Sequence, residues 1–82
     1  MTTIVGIKLE NRVEGSENLQ KILTKHGCSI KTRIGLHSVA DNVCAPDGII
    51  ILEVINDEAA QLLGEELANI RGLILKTMVF PS

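Results

Sequence analysis

With 82 residues, 45% of them hydrophobic, the chain has material for one small core and none for a second domain. A single aromatic, Phe80, excludes a base-stacking platform, and a net charge of -2 without a Lys/Arg run excludes direct nucleic-acid binding. No apolar run reaches the length of a membrane span and no leader pattern opens the chain, so the reading is a cytoplasmic protein.

Residues 3 to 10, TIVGIKLE, are β-branched and apolar and read as a first strand. Val5, Ile7 and Leu9 share one face, and Ile4, Gly6 and Lys8 the other. Asn11 is placed to cap a first helix, with Glu14 three residues on in capping-box position. Gly15, Ser16, Leu19, Ile22, Leu23 and His26 fall on one helical stripe, and Gly27 is expected to end the helix as a left-handed residue.

Residues 28 to 37 alternate again, with Ile30, Thr32, Ile34 and Leu36 expected on the core side and Lys31, Arg33, Gly35 and His37 opposite. SVADNVCAPDG then reads as a turn-rich loop, with Asp41-Asn42 and Pro46-Asp47-Gly48 as breakers. IIILEVI, residues 49 to 55, is apolar throughout, as a central strand should be. Asn56 or Asp57 caps a second helix with Ala60, Leu63, Leu67 and Ile70 inward, Gly72 closes it, and LILKTMVF forms the last strand.

The order β-α-β-β-α-β with right-handed crossovers predicts an α+β, ferredoxin-like sandwich. One four-stranded antiparallel sheet carries both helices on one face, with the first and third strands central. The uncovered face is then expected to carry Ile4, Lys8, Lys31, Arg33, His37, Ile49, Ile51, Glu53, Ile55 and part of the last strand. Aliphatic side chains there would be wet in a lone subunit, which predicts self-association as a homodimer or homotetramer.

The two histidines and two cysteines all fall within residues 26 to 44. Plain roles exist for each: His26 at a helix C-terminus, Cys28 as a small buried hydrophobe, His37 as a strand-end polar residue and Cys44 as a loop anchor. Nine strand steps place Cys28 and His37 roughly 30 Å apart. An ion shared by His26, His37 and Cys44 would therefore need a second copy, its strand paired antiparallel to the first. Such donors suit Ni²⁺, Zn²⁺ or Fe²⁺. Nothing frames His37 and Cys44 as a nucleophile pair, Glu65 and Glu66 point apart on a helix, and no phosphate-cradling glycine loop occurs, so the chain reads as non-catalytic.

ENRVEGSENLQKIL and LANIRGLILKTMV, in this element order, resemble the ACT family of regulatory domains. That resemblance implies an effector, often an amino acid, bound at a subunit interface by the turn after the first strand, here Asn11, Arg12 and Gly15. Over nearly the whole chain, IVGIKLENR, RIGLHS, NVCAPDGIIILEV and IRGLILKTMVF look like the small regulators of iron-only hydrogenase systems. Their fold is similar to the C-terminal domain of the nickel-responsive repressor, which binds nickel across a tetramer interface. His26, His37 and Cys44 fall close to three of its ligand places. Val39 stands where a further histidine is expected, and the histidine-to-cysteine spacing differs. No residues are present to build the repressor's DNA-binding half, so a regulatory output would pass through a partner protein. The competing expectation is an interaction module in which the His/Cys set is incidental.

Overall fold

Alternation in the first strand is realised in β1 (Thr2–Leu9), where Val5, Ile7 and Leu9 are buried and Ile4, Gly6 and Lys8 face the other way. Thr3 shares the buried side, and its hydroxyl donates to Asp57 Oδ1 at 3.1 Å, tying the start of β1 to the second helix. The computed structural model describes residues 1–10, 12–40 and 43–81, with side chains for all of these except 12–16, 37–40 and 43–47. Asn11, the expected helix cap, lies outside the described residues, as do Asp41 and Asn42.

Helix α1 (Arg12–Lys25) follows β1, and helix α2 (Asp57–Leu67) follows the third strand. Leu19 and Leu23 of α1 and Leu63 and Leu67 of α2 close over Val5, Ile7, Leu52 and Val54 in one core, with Ala60 and Ile70 packed at its margin. Asn56 is the α2 cap: its backbone is extended and Oδ1 accepts the Ala59 N–H at 2.7 Å. Asp57 and Glu58 in the first turn suit the positive end of the helix dipole.

The strand order is β2-β3-β1-β4, with β1 antiparallel to both its neighbours. β1 and β3 (Val43–Val54) are thus central, β2 (Ile30–Ala40) and β4 (Leu73–Phe80) are edges, and both helices contribute to a single core. The fold is the ferredoxin-like α+β arrangement. Gly72 does not close α2 as expected: the helix ends at Leu67 with Ala68 as its right-handed cap, and Gly72 stands in the turn before β4 with φ 80°, its carbonyl accepting the Glu10 N–H at 2.9 Å.

Three further expectations need correction. Gly27 does not end α1 in a left-handed conformation. The chain tightens instead into a 3₁₀ turn, Gly27–Ser29, secured by Ser29 N–H to His26 O at 2.9 Å and Ile55 N–H to Ser29 O at 2.9 Å. Cys28 sits in that turn as an exposed free thiol, not as a buried hydrophobe at a strand start.

The second correction concerns which side of β2 meets the core. Ile30 pairs with Val54 and Thr32 with Glu53, so Lys31 is an extra residue in β2. One inserted residue transfers every later side chain to the opposite face. Ile34 and Leu36 consequently join Ile51 and Ile49 on the uncovered face and are 50% and 47% exposed. Arg33 moves to the helix side, where Nη2 donates to Gln20 Oε1 of α1 at 2.8 Å.

The third is the segment read as a loop. β2 continues to Ala40 and β3 begins at Val43, so most of SVADNVCAPDG belongs to a long hairpin. Between the pairs His37–Gly48 and Val39–Cys44, Ser38 alone stands against residues 45–47. Pro46 falls in this irregularity, one of the few places a strand tolerates a residue without an N–H. β1 pairs β3 only from Ile49 onward, so the hairpin overhangs the four-stranded region and the molecule measures 41 × 24 × 18 Å.

Leu52 lies at the centre of this core with no exposed surface. Leu52→Ala is expected to cost about 2–5 kcal/mol in urea denaturation, whereas Leu62→Ala on the outer side of α2 should change stability by less than about 0.5 kcal/mol.

Candidate functional site

The face of the sheet without helices is built in rows across the strands. Leu36, Ile49, Lys8 and Ile74 form the first, and Ile34, Ile51, Gly6 and Lys76 the second. Thr32, Glu53, Ile4 and Met78 form the third, and Phe80 stands beyond it opposite Thr2. Met78 and Phe80 are 53% and 54% exposed, so this one face carries most of the large apolar side chains the core leaves out. At Gly6 the second row has no side chain, and the sheet surface dips between Ile4, Ile49, Ile51, Ile74 and Met78. The bulge at Lys31 makes the apolar area wider than the sequence alternation predicts, because Ile34 and Leu36 are added to it.

Polar chemistry on this face is sparse. Glu53 accepts from Thr32 Oγ1 at 3.4 Å and pairs with Lys31 Nζ at 3.4 Å. Lys8 and Lys76 line the dip, and neither ammonium group has an ion pair or hydrogen bond among the described residues.

His26, the first expected metal ligand, lies at the junction of α1 and the 3₁₀ turn. Its Nε2 meets Glu66 Oε2 on α2, while Lys25 Nζ donates to Glu66 Oε1. The ring is largely covered and its observed role is to join the ends of the two helices. The Lys25 ammonium first, and the His26 ring second, hold the Glu66 carboxyl below its ordinary pKa range.

His37 and Cys44 have their backbone at the overhanging end of the hairpin, His37 opposite Gly48 and Cys44 opposite Val39. Their side chains lie outside the described set. The register brings these two positions close together and leaves His26 at the other end of β2. Seven strand steps, roughly 23 Å, separate Ile30 from His37. Among the described residues no three His, Cys, Asp or Glu side chains gather closely enough to hold a metal ion.

Arg12 and Gly15 occupy the first turns of α1, just after β1 ends. The Lys8 end of β1 pairs with Ile49, where the hairpin overhang begins. The topology thus sets the expected effector turn and the His37/Cys44 positions at the same end of the sheet, a relation that separate motif readings did not contain.

No protein-family model matches the chain and no curated protein does. Solved structures do match. An uncharacterized protein from Thermotoga maritima is 23% identical, with a TM-score of 0.77, covering 94% of this chain and 92% of that one. A de novo designed protein reaches a TM-score of 0.63 at 11% identity, covering 99% and 100% of the two chains. The apo form of a nitrogen regulatory PII-like protein from Thiomonas intermedia K12 also scores 0.63, at 15% identity, covering 94% and 86%. That protein has further been solved bound to ADP, AMP and bicarbonate. At these identities the likeness is one of fold, shared by natural and designed chains, and fold alone does not carry function. Among the described residues no helix is long and apolar enough to cross a membrane.

The helix junction makes a pH-dependent prediction. A carboxyl whose folded pKa lies below its unfolded value of about 4.3 adds stability that is fully present above that value and lost as pH falls through the folded one. Glu66→Gln should therefore lower the melting temperature at neutral pH, and the gap to the parent should close as pH falls from about 5 to about 3. Thermal melts of both proteins across that range check it.

Proposed function

We propose that the chain is a non-catalytic regulatory or sensory module that works as an assembly of its own copies and binds a small ligand or metal ion where they meet. The observation that carries this reading is the open face: three rows of mainly aliphatic side chains, with helices on the other side only. Leaving such an area in water is costly at about 25 cal/mol per Å² of apolar surface, and a contiguous patch of this kind marks an interface.

The regulatory part of the proposal draws on the residue patterns shared with iron-only hydrogenase system regulators and ACT domains, and on the absence of a catalytic constellation in the sequence. Likeness of fold to a nitrogen regulatory PII-like protein is in keeping with it. The output passes through a partner protein, since the acidic chain has no Lys/Arg run. In the finer form of the proposal that partner belongs to a hydrogenase system.

For the metal, one subunit offers His37 and Cys44 at the hairpin end, and a second copy would have to complete the coordination with His26 of the partner subunit. The engagement of the His26 ring by Glu66 favours a second reading, in which assembly itself is the function and no metal is held. A ligand in place of a metal would lie near Arg12, Gly15 and Asn11.

Light scattering should give a multimer for the parent. Ile34→Asp with Leu36→Asp should weaken association by at least about tenfold while circular dichroism stays native. A parent that is a single folded subunit at micromolar concentration would overturn the assembly. Calorimetry of the assembled protein with Ni²⁺, Zn²⁺ and Fe²⁺ then separates the two readings: binding that His37→Ala and Cys44→Ser abolish supports the metal site, and silence supports the interaction module.

A further inference from the structure

We infer that the dip at Gly6 is a binding site for an aliphatic carboxylate, its acid group held by Lys8 and Lys76 and its hydrocarbon body laid along the apolar rows. The inference rests on the assembly reading above, which it deepens by naming the ligand class of the covered face.

Charge is the first argument. Lys8 pairs across the sheet with Ile74, and Lys76 with Gly6, so the two lysines are diagonal neighbours on adjacent strands, roughly 7–8 Å apart at the backbone. They stand on the same face of an otherwise acidic chain and have no acidic partner among the described residues. The nearest carboxylate in the rows, Glu53, is already engaged by Lys31 and Thr32. Two like charges side by side repel, and covering them with a second apolar face would strip their water without compensation. An anion between them relieves both costs.

Shape is the second. Gly6 removes one side chain from the centre of the face, and the surrounding walls are Ile4, Ile49, Ile51, Ile74 and Met78. Inorganic phosphate or sulfate would leave these walls unused, whereas a carboxylate with a hydrocarbon tail satisfies both halves of the site. From Lys8 to Ile4 the strand runs four residues, about 13 Å, which suits a medium-length chain. The vacancy is a matter of sequence and not of backbone strain: a Cβ on Gly6 would meet only the Lys76 carbonyl oxygen, at 3.9 Å, an ordinary contact.

That last fact supplies a clean variant. Gly6→Val should fold, since valine favours a strand and its Cβ has room, and it should fill the dip. The test titrates the full chain with decanoate below its micelle-forming concentration, followed by the backbone amide NMR signals of Gly6, Ile51 and Met78. Decanol and decyltrimethylammonium are the neutral and cationic controls. Decanoate should bind saturably and about sixteenfold more tightly than octanoate, two methylenes at about fourfold each. Lys8→Met with Lys76→Met should weaken decanoate by at least about tenfold and leave decanol unchanged, and Gly6→Val should abolish binding of both.

Decanol or the cation binding as tightly as decanoate, shifts that never saturate, or a Gly6→Val protein that still binds would each overturn the inference. Light scattering on the same samples separates the two readings. An assembled parent blind to decanoate overturns the ligand inference alone. A single-subunit parent that binds decanoate at these amides supports the site and overturns the assembly.

Discussion

A sheet has two faces, and here helices cover only one of them. Everything characteristic of this protein follows from that imbalance. Leu19, Leu23, Leu63 and Leu67 close the helix side over β1 and β3, and the residual aliphatic surface lies on the other side of the same strands. Because β1 and β3 are central, their buried and open positions alternate residue by residue. The core cannot be strengthened by moving Ile4, Ile49 or Ile51 inward without moving Val5, Ile50 or Leu52 out.

The bulge at Lys31 sharpens the imbalance. Without it, Ile34 and Leu36 would face the helices and Arg33 the open side. With it, the edge strand adds two aliphatic side chains to the exposed rows and sends its arginine to Gln20 on α1. A single inserted residue thus widens the apolar face by one strand. The few charges left there then become informative, because a lysine pair amid aliphatic neighbours has little else to interact with.

The two ends of the sheet differ in kind. At one end Lys25, His26 and Glu66 join the helices by side-chain hydrogen bonds, and the 3₁₀ turn leads into β2. At the other, the β2–β3 hairpin overhangs and the first turns of α1 begin. The His/Cys set of the sequence is divided between these ends, so any chemistry that uses all of it must bring together two copies of the chain.

The order of elements, the central place of β1 and β3, the Asn56 cap and the leucine stripes were legible in the sequence. Each is a local pattern: a period of two, a period near 3.6, or a residue suited to one backbone conformation. By itself the sequence therefore determined the ferredoxin-like fold and the presence of an open apolar face. Only the tertiary structure decided which β2 residues lie on that face, that Pro46 and its neighbours extend a hairpin, that His26 is bound to Glu66, and that Lys8 and Lys76 stand side by side beside a dip. The reason is physical: strand register and the pairing of residues far apart in the chain are settled by the neighbouring strands, and one inserted residue reverses every face that follows it.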